Sequence, residues 1–331
     1  MSGLGWKAAL AVVMVGAGWW TVTHGVAGVT WHEVAAVLRG VPMSRLTELG
    51  AVWIGGLAIY ATVLSAALPG LGARRGLLLN LSGSAVANVM PFGGAAATGM
   101  NWRMVRGWGH SDGEFLSFCV LTNALDVMTK LLLPLVASGG LLAMSVHVPA
   151  TLWGVVAVCA AIAGLVVLLS SLVLRPTTRS TTDGAPKPSL AWRLRSRLHD
   201  PVSRIRVLLH QRWQRLLPGS VAYVVAQVLL LLLSLHSVGL APSLSVVLMA
   251  AAVERLGSLI PVTPAGTGIA EIGTVAWLVA NGLDPVAVVA GVLLYRVFLV
   301  AMEIPVGGLL LGGWAWLERR RVRGPSALEA A

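Results

Sequence analysis

Charge is what this sequence has least of. Only 11% of its 331 residues are Asp, Glu, Lys or Arg, against about 25% in a soluble domain. That scarcity excludes a soluble globular chain. Cysteine is nearly absent too: Cys119 and Cys159 both fall in apolar runs. They form no C-x-x-C pair and no secreted disulfide framework. Nucleophile-elbow (G-x-S-x-G), zinc-protease (H-E-x-x-H) and Walker A patterns are missing. The seven histidines (24, 32, 110, 147, 199, 210, 236) show no ligand spacing. Gly266-Thr267-Gly268 has no βαβ setting to make it a dinucleotide loop. No metal, cofactor or catalytic activity is therefore expected.

Apolar residues fill the space that charge leaves. The chain is 56% hydrophobic, with a mean hydropathy of +0.82. Its apolar runs are long enough for several helices of about 20 residues, the length that crosses a bilayer. They do not alternate polar with apolar, which argues against a β-barrel. The expectation is an all-α, polytopic integral membrane protein.

The charge present is mostly basic, a net +11. Residues 175–216 carry ten Lys or Arg against Asp183 and Asp200, and Arg319-Arg320-Arg321 with Arg323 close the last apolar run. Basic segments stay cytoplasmic, so both termini and the linker are expected inside, in a prokaryotic inner membrane. No basic stripe lies on a soluble fold, so nucleic acid is not an expected partner, whereas anionic lipid headgroups are. From Leu190 to Leu217 the linker mixes Arg with Leu, Val, Ile and Trp, like a helix lying on an anionic surface. Docking of an envelope-biosynthesis enzyme is a second possible use of that segment.

Apolar runs near 6–24, 46–68, 111–145, 150–174, 218–238 and 285–316 read as six full spans, with Pro134 kinking the third. Trp31 to Arg39 reads as a short interfacial segment. Two stretches are too short or too broken to cross. Residues 76–107 are interrupted at Asn88, Pro91, Gly93 and Gly94. Residues 243–281 are interrupted at Pro261, Pro264, Gly266 and Gly268. Non-helical backbone at membrane depth persists only where it is buried in protein or lines a polar cavity, so both read as re-entrant helical hairpins. A shift of 170 residues sets Pro91 on Pro261 and Asp126 on Arg296, which suggests an inverted repeat. The organisation expected is a first half over 1–175, a basic linker over 176–216, a second half over 217–318 and a basic tail over 319–331.

Seven ionisable residues lie in or beside apolar helices: Asp126, Lys130, Glu254, Arg255, Glu271, Arg296 and Glu303. Each costs about 2.5–3.5 kcal/mol at a bilayer centre, so they must pair or line a wet cavity. Asp126 and Lys130 are four apart and share a helical face. Arg296 and Glu303, seven apart, do so too. Glu254 and Arg255 point about 100° apart and need separate partners. The repeat suggests Asp126 and Arg296 as mutual partners. With Arg103, these seven are the candidate substrate-binding residues. Helix N-termini at the broken hairpins would favour an anionic group such as phosphate.

Pro261-x-x-Pro264-Ala265-Gly266-Thr267-Gly268-Ile269-x-Glu271, followed by Tyr295-Arg296, resembles the signature of the flippase-like family. That family comprises the transmembrane region of lysylphosphatidylglycerol synthases and its stand-alone relatives. Ala265 replaces the first glycine of the pattern. Pro91 and Arg103 match its first half, while Gly99-Met100-Asn101 lacks its acid. The resemblance implies a polytopic inner-membrane protein that moves lipids between leaflets, with a phospholipid or a polyprenyl-phosphate-linked lipid as substrate. The synthase activity belongs to a cytosolic domain that is not expected in this chain, so the resemblance does not carry it over. A non-transporting scaffold and an embedded transferase remain the alternatives.

Overall fold

The computed structural model describes residues 28–89, 93–143, 153, 156–157, 159–164, 190–259 and 268–323. The described residues are helical apart from their turns and ends. In chain order the helices are α1 (Trp31–Arg39), α2 (Met43–Ala67), α3 (Ala73–Val89), α4 (Gly93–Gly107), α5 (Asp112–Ala143), α6 (Leu190–Ser237), α7 (Leu244–Gly257), α8 (Ile269–Ala280), α9 (Pro285–Arg296) and α10 (Glu303–Arg323). A π-helical turn, Val297–Ala301, joins the last two.

Four stretches are long and apolar enough to cross a membrane: Met43–Ala67, Asp112–Gly140, Val202–Ser237 and Pro285–Arg320. They match four of the six expected spans. The span expected at 6–24, and most of that at 150–174, lie outside the described residues. Helical residues among 153–164 place Cys159 and Ala163 against Leu131 of α5, with Leu256 of α7 packed alongside. The protein is thus a multi-pass α-helical membrane protein. Its spans show Ile54, Val136, Val221 and Leu309 on the outside, as a lipid-facing surface requires.

Local sequence explains where the helices begin and stop. Thr30 and Glu33 form a capping box at the start of α1: Thr30 N–H donates to Glu33 Oε2 at 2.8 Å, and Thr30 Oγ1 accepts from Glu33 N–H. Two of the orphan N–H groups of the first turn are so satisfied. Helix α2 ends before Pro69-Gly70, where Gly70 takes φ +90°, a backbone that side-chained residues seldom adopt. Pro134 sits inside α5 without ending it.

Two pairs of helices are too short to span. Helices α3 and α4 have 17 and 15 residues, about 26 and 23 Å at 1.5 Å per residue. Helices α7 and α8 have 14 and 12 residues, about 21 and 18 Å. Each pair packs on itself. Helix α3 is also covered by α10 and α2, and α7 by α5. Small residues permit these approaches, as is usual between membrane helices. A Cβ on Gly273 would lie 2.7 Å from Val253, and one on Gly307 would collide with the Leu81 backbone.

Helix α6 is the longest element, 48 residues or about 72 Å. The basic segment expected to lie along the surface and the span that follows it form one continuous helix, which passes through Pro201 and Pro218. Its lower part packs with α2 and α5, and Ile205, Leu208 and Leu216 join one apolar cluster with residues of α3 and α4. Its upper part packs with α7 and α9 through Leu230, Leu231 and Leu235.

Candidate functional site

The embedded charges converge on α7. Its neighbouring residues Glu254 and Arg255 point to different helices, as their angular separation requires. Glu254 Oε1 accepts from Arg296 Nη1 of α9 at 3.0 Å. Glu271 Oε1, in the first turn of α8, accepts from Arg296 Nε at 2.6 Å. These charged pairs are shielded, with 2–8% of each side chain exposed. Glu271 has a second duty, since its Oε2 accepts from the N–H of Gly268 at 2.6 Å. It thereby caps its own helix, from a Gly268 held at φ +100°. One carboxylate fixes both the tip of the α7–α8 pair and the cation of α9.

On the other side of α7, Arg255 is bonded to Gln227 of α6, and its Nη1 lies 3.8 Å from Asp126 Oδ1 of α5. Asp126 Oδ2 also binds Lys130 Nζ at 2.8 Å, one turn along the same helix. The Asp126 side chain is 42% exposed, and it lines two separate spaces. The inner one, about 20 Å³, lies between Asp126, Arg255, Tyr60 and Tyr223. The outer one, about 250 Å³, lies between α2, α3, α4 and α5, and shares Tyr60, Thr122 and Asp126 with the inner one.

Three expectations change on this geometry. Arg296 is paired with Glu254 and Glu271, and Asp126 with Lys130 and Arg255, so Asp126 and Arg296 do not neutralise each other directly. Helix α7 stands between the two groups and supplies a partner to each. Arg296 and Glu303 do not share a face, because the π-helical turn between them adds a residue to one turn and slips the register by about 100°. Glu303 lies instead against Ser84 of α3, beside a small space lined by Trp53, Tyr223 and Gln227. Arg103 is exposed and lines a surface groove with Trp102, Trp314, Glu318 and Arg319. It is not part of the inner site.

Of the hairpin-tip residues, Asn88 is half-buried, Gly93 buried, Gly94 exposed and Gly268 buried. A Cβ on Gly93 would sit 2.5 Å from the Ala87 carbonyl oxygen, so glycine is needed where α4 turns back on α3. Pro91, Pro261, Pro264 and Gly266 lie outside the described residues.

The family comparison can be read against this arrangement. The model of the lysylphosphatidylglycerol synthase TM region matches residues 6–307. The chain belongs to that family. The match takes in every helix from α1 to the first turn of α10, and with them both charge groups on α7. Among curated proteins nothing matches it.

Sequence reading missed the polar wall of the outer space, which carries Asn80, Ser84, Thr98, Asn101, Thr122 and Asn123. A signal was available. Asn80 and Ser84 are four apart on α3, Thr98 and Asn101 three apart on α4, and Thr122 and Asp126 four apart on α5. Polar pairs at helical spacing in otherwise apolar runs define a face. Attention to charge alone passed over them.

Proposed function

We propose that the protein is a lipid flippase. It passes the headgroup of a phospholipid or of a polyprenyl-phosphate-linked lipid between leaflets while the tails stay in the bilayer. The observation that carries this reading is the polar space between α2, α3, α4 and α5, lined by Asp126, which also lines the smaller space that holds Arg255 of α7. A polar route at membrane depth lets a headgroup leave water without crossing hydrocarbon.

The two short helix pairs support an inverted, re-entrant arrangement around that route. At the open end of the α3–α4 pair, the Arg75 guanidinium stacks over Trp108 at 5.2 Å. Arg103 of α4 shares a groove with Arg319 of α10, and Glu114 at the start of α5 lies 3.7 Å from Arg204 of α6. Clustered Arg and Trp suit a cytoplasmic interface. The α7–α8 pair is closed at its own open end by the Trp277 Nε1–H bond to the Val246 carbonyl at 3.0 Å. That end packs with Leu235, Leu240 and Leu283, toward the opposite end of α6. In this reading the first hairpin enters from the cytoplasm and the second from outside. Six spans and cytoplasmic termini in an inner membrane complete the topology. Transport without covalent chemistry is the role assigned, passive or coupled to an ion gradient.

Reconstitution tests it. Purified protein in liposomes with fluorophore-labelled lipids should speed the loss of inner-leaflet protection from a membrane-impermeant quencher. Protein that accelerates exchange of no lipid overturns the reading. Single cysteines at Gly94 and Ile269 should label from opposite sides, and labelling of both from one side overturns the inverted hairpins.

A further inference from the structure

Helix α4 has two faces in use. Ala97, Thr98 and Asn101 line the polar space. Ala96, Gly99 and Arg103 lie on the opposite face at helical spacing. They line a groove of about 810 Å³, whose other wall is Trp314, Ala315 and Arg319 of α10. Helix α3 packs against both α4 and α10, and the groove runs between those two. One helix, about 10–12 Å across, therefore separates the groove from the polar space. Small side chains and the rings of Trp102 and Trp314 make the groove mainly apolar.

Two guanidiniums stand in this apolar setting, one on each wall. Arg103 and Arg319 make no hydrogen bond or ion pair with a described residue. Their neighbours are engaged: Arg106 binds Asp112 at 3.0 Å, and Arg320 lies 3.7 Å over the Trp316 ring. Glu318 also lines the groove, so two cations and one acid leave it a single net positive charge. Trp102 is fixed in its wall, since its Nε1–H donates to Asp112 Oδ1 at 2.8 Å.

We propose that this groove docks a lipid with a phosphate headgroup. Arg103 and Arg319 hold the phosphate, whose oxygens match their planar forks. The nearer part of the acyl chains lies along Ala96, Gly99 and Ala315. Tryptophan favours the headgroup level of a bilayer, and Trp102 and Trp314 place the groove there. A free phosphate would use the guanidiniums and leave the apolar walls bare, whereas an uncharged lipid would do the converse. The volume falls in the range of ligand pockets, about 300–1,000 Å³, enough for a headgroup and the start of its tails. The chemistry of the groove stands on these residues. Its use as the place where a lipid waits, one helix from the polar space, rests on the flippase reading.

The test is lipid retention by the full chain in detergent, read by native mass spectrometry. The probes are phosphatidic acid and diacylglycerol with the same tails, and inorganic phosphate is the competitor. Phosphatidic acid should be retained at least about tenfold better than diacylglycerol, the scale of one charged hydrogen bond. Arg103→Gln and Arg319→Gln should each remove most of that preference. Arg320→Gln deletes the same charge next door and should leave it intact. A Cβ on Gly99 would meet nothing within 4 Å, so Gly99→Leu should fold normally, fill the groove and lower retention. Equal retention of both lipids overturns the proposal, as does an equal loss in Arg320→Gln, which would mark general attraction to anionic lipid. Full displacement by inorganic phosphate would make the ligand a free anion, and a dimer broken by Gly99→Leu would make the occupant a second copy; either result overturns it too. Selective retention without headgroup exchange in liposomes would leave the groove standing and remove the flippase reading. Exchange without selective retention would do the reverse.

Discussion

Arg296 with Glu254 and Glu271 is closed off from solvent, while Asp126 with Lys130 and Arg255 opens onto a cavity. Both groups hang on neighbouring residues of α7. The first holds one cation between two acids, at 2.6 and 3.0 Å, with little of any side chain exposed. The second holds one acid between two cations, at 2.8 and 3.8 Å, with the acid 42% exposed. The difference teaches that membrane-embedded charge has two uses. A sealed group locks helices together, because any opening exposes unpaired charge to hydrocarbon. An open group leaves one charge accessible from a cavity. Glu271 shows the locking role most plainly, since it also caps α8.

That contrast can be broken most decisively at Arg296. Arg296→Met should strand two buried carboxylates and cost about 3–5 kcal/mol, the range for removing one member of a buried pair. Denaturant titration of helicity in micelles would measure it. Adding Glu254→Gln and Glu271→Gln should recover most of the loss. A single Arg296→Met variant as stable as the parent would show that the group is not sealed. Gly268→Ala comes next. It forces a side chain onto a backbone at φ +100° and should cost about 1–2 kcal/mol, and it should loosen the Glu271 cap, measurable as faster amide exchange at the start of α8.

Asp126→Asn should behave oppositely. Its exposure and solvent screening limit the stability change to less than about 1 kcal/mol. Headgroup exchange in liposomes should nonetheless fall, by more than it does for Lys130→Gln. A variant that loses stability but keeps exchange would assign Asp126 to the locking class.

The smallest effect is a control in water. Glu33 occupies the same capping position in α1 that Glu271 occupies in α8. It is exposed, and the Thr30 backbone N–H bond, aided by the Thr30 hydroxyl, holds its carboxyl below the usual range. A lowered pKa means that its contribution to α1 is present above the unfolded carboxyl's pKa and is lost as pH falls through the lowered value. Carbon-13 titration of Glu33 should show the depression, and Thr30→Val should shrink it without removing the backbone part.

Much of the helix pattern was legible. The apolar runs gave four spans, the boundaries of α1 match the segment read as interfacial, and Pro69-Gly70 stopped α2. The broken stretches did become pairs of short helices. The partner of Arg296 was not legible, because a helical sequence gives the direction of a side chain but not the helix it meets. Glu303 was misplaced because one π-helical turn is invisible to a 3.6-residue count. Arg103 was grouped with the embedded charges as a site residue, whereas α4 carries it out to the surface groove.

By itself the sequence determined that this chain lives in a membrane, where its helices break, and which residues are too costly to face lipid. Those are properties of composition and local backbone chemistry. The tertiary structure alone decided which charges close on each other and which stay open. It also brought Asn80 and Asn101, 21 positions apart and unremarkable as letters, into one wall. Pairing and cavity shape depend on distances between helices, and packing sets those distances. Helix α7 is where the two kinds of information meet: adjacent residues fix two directions, and the surrounding helices give each direction its meaning.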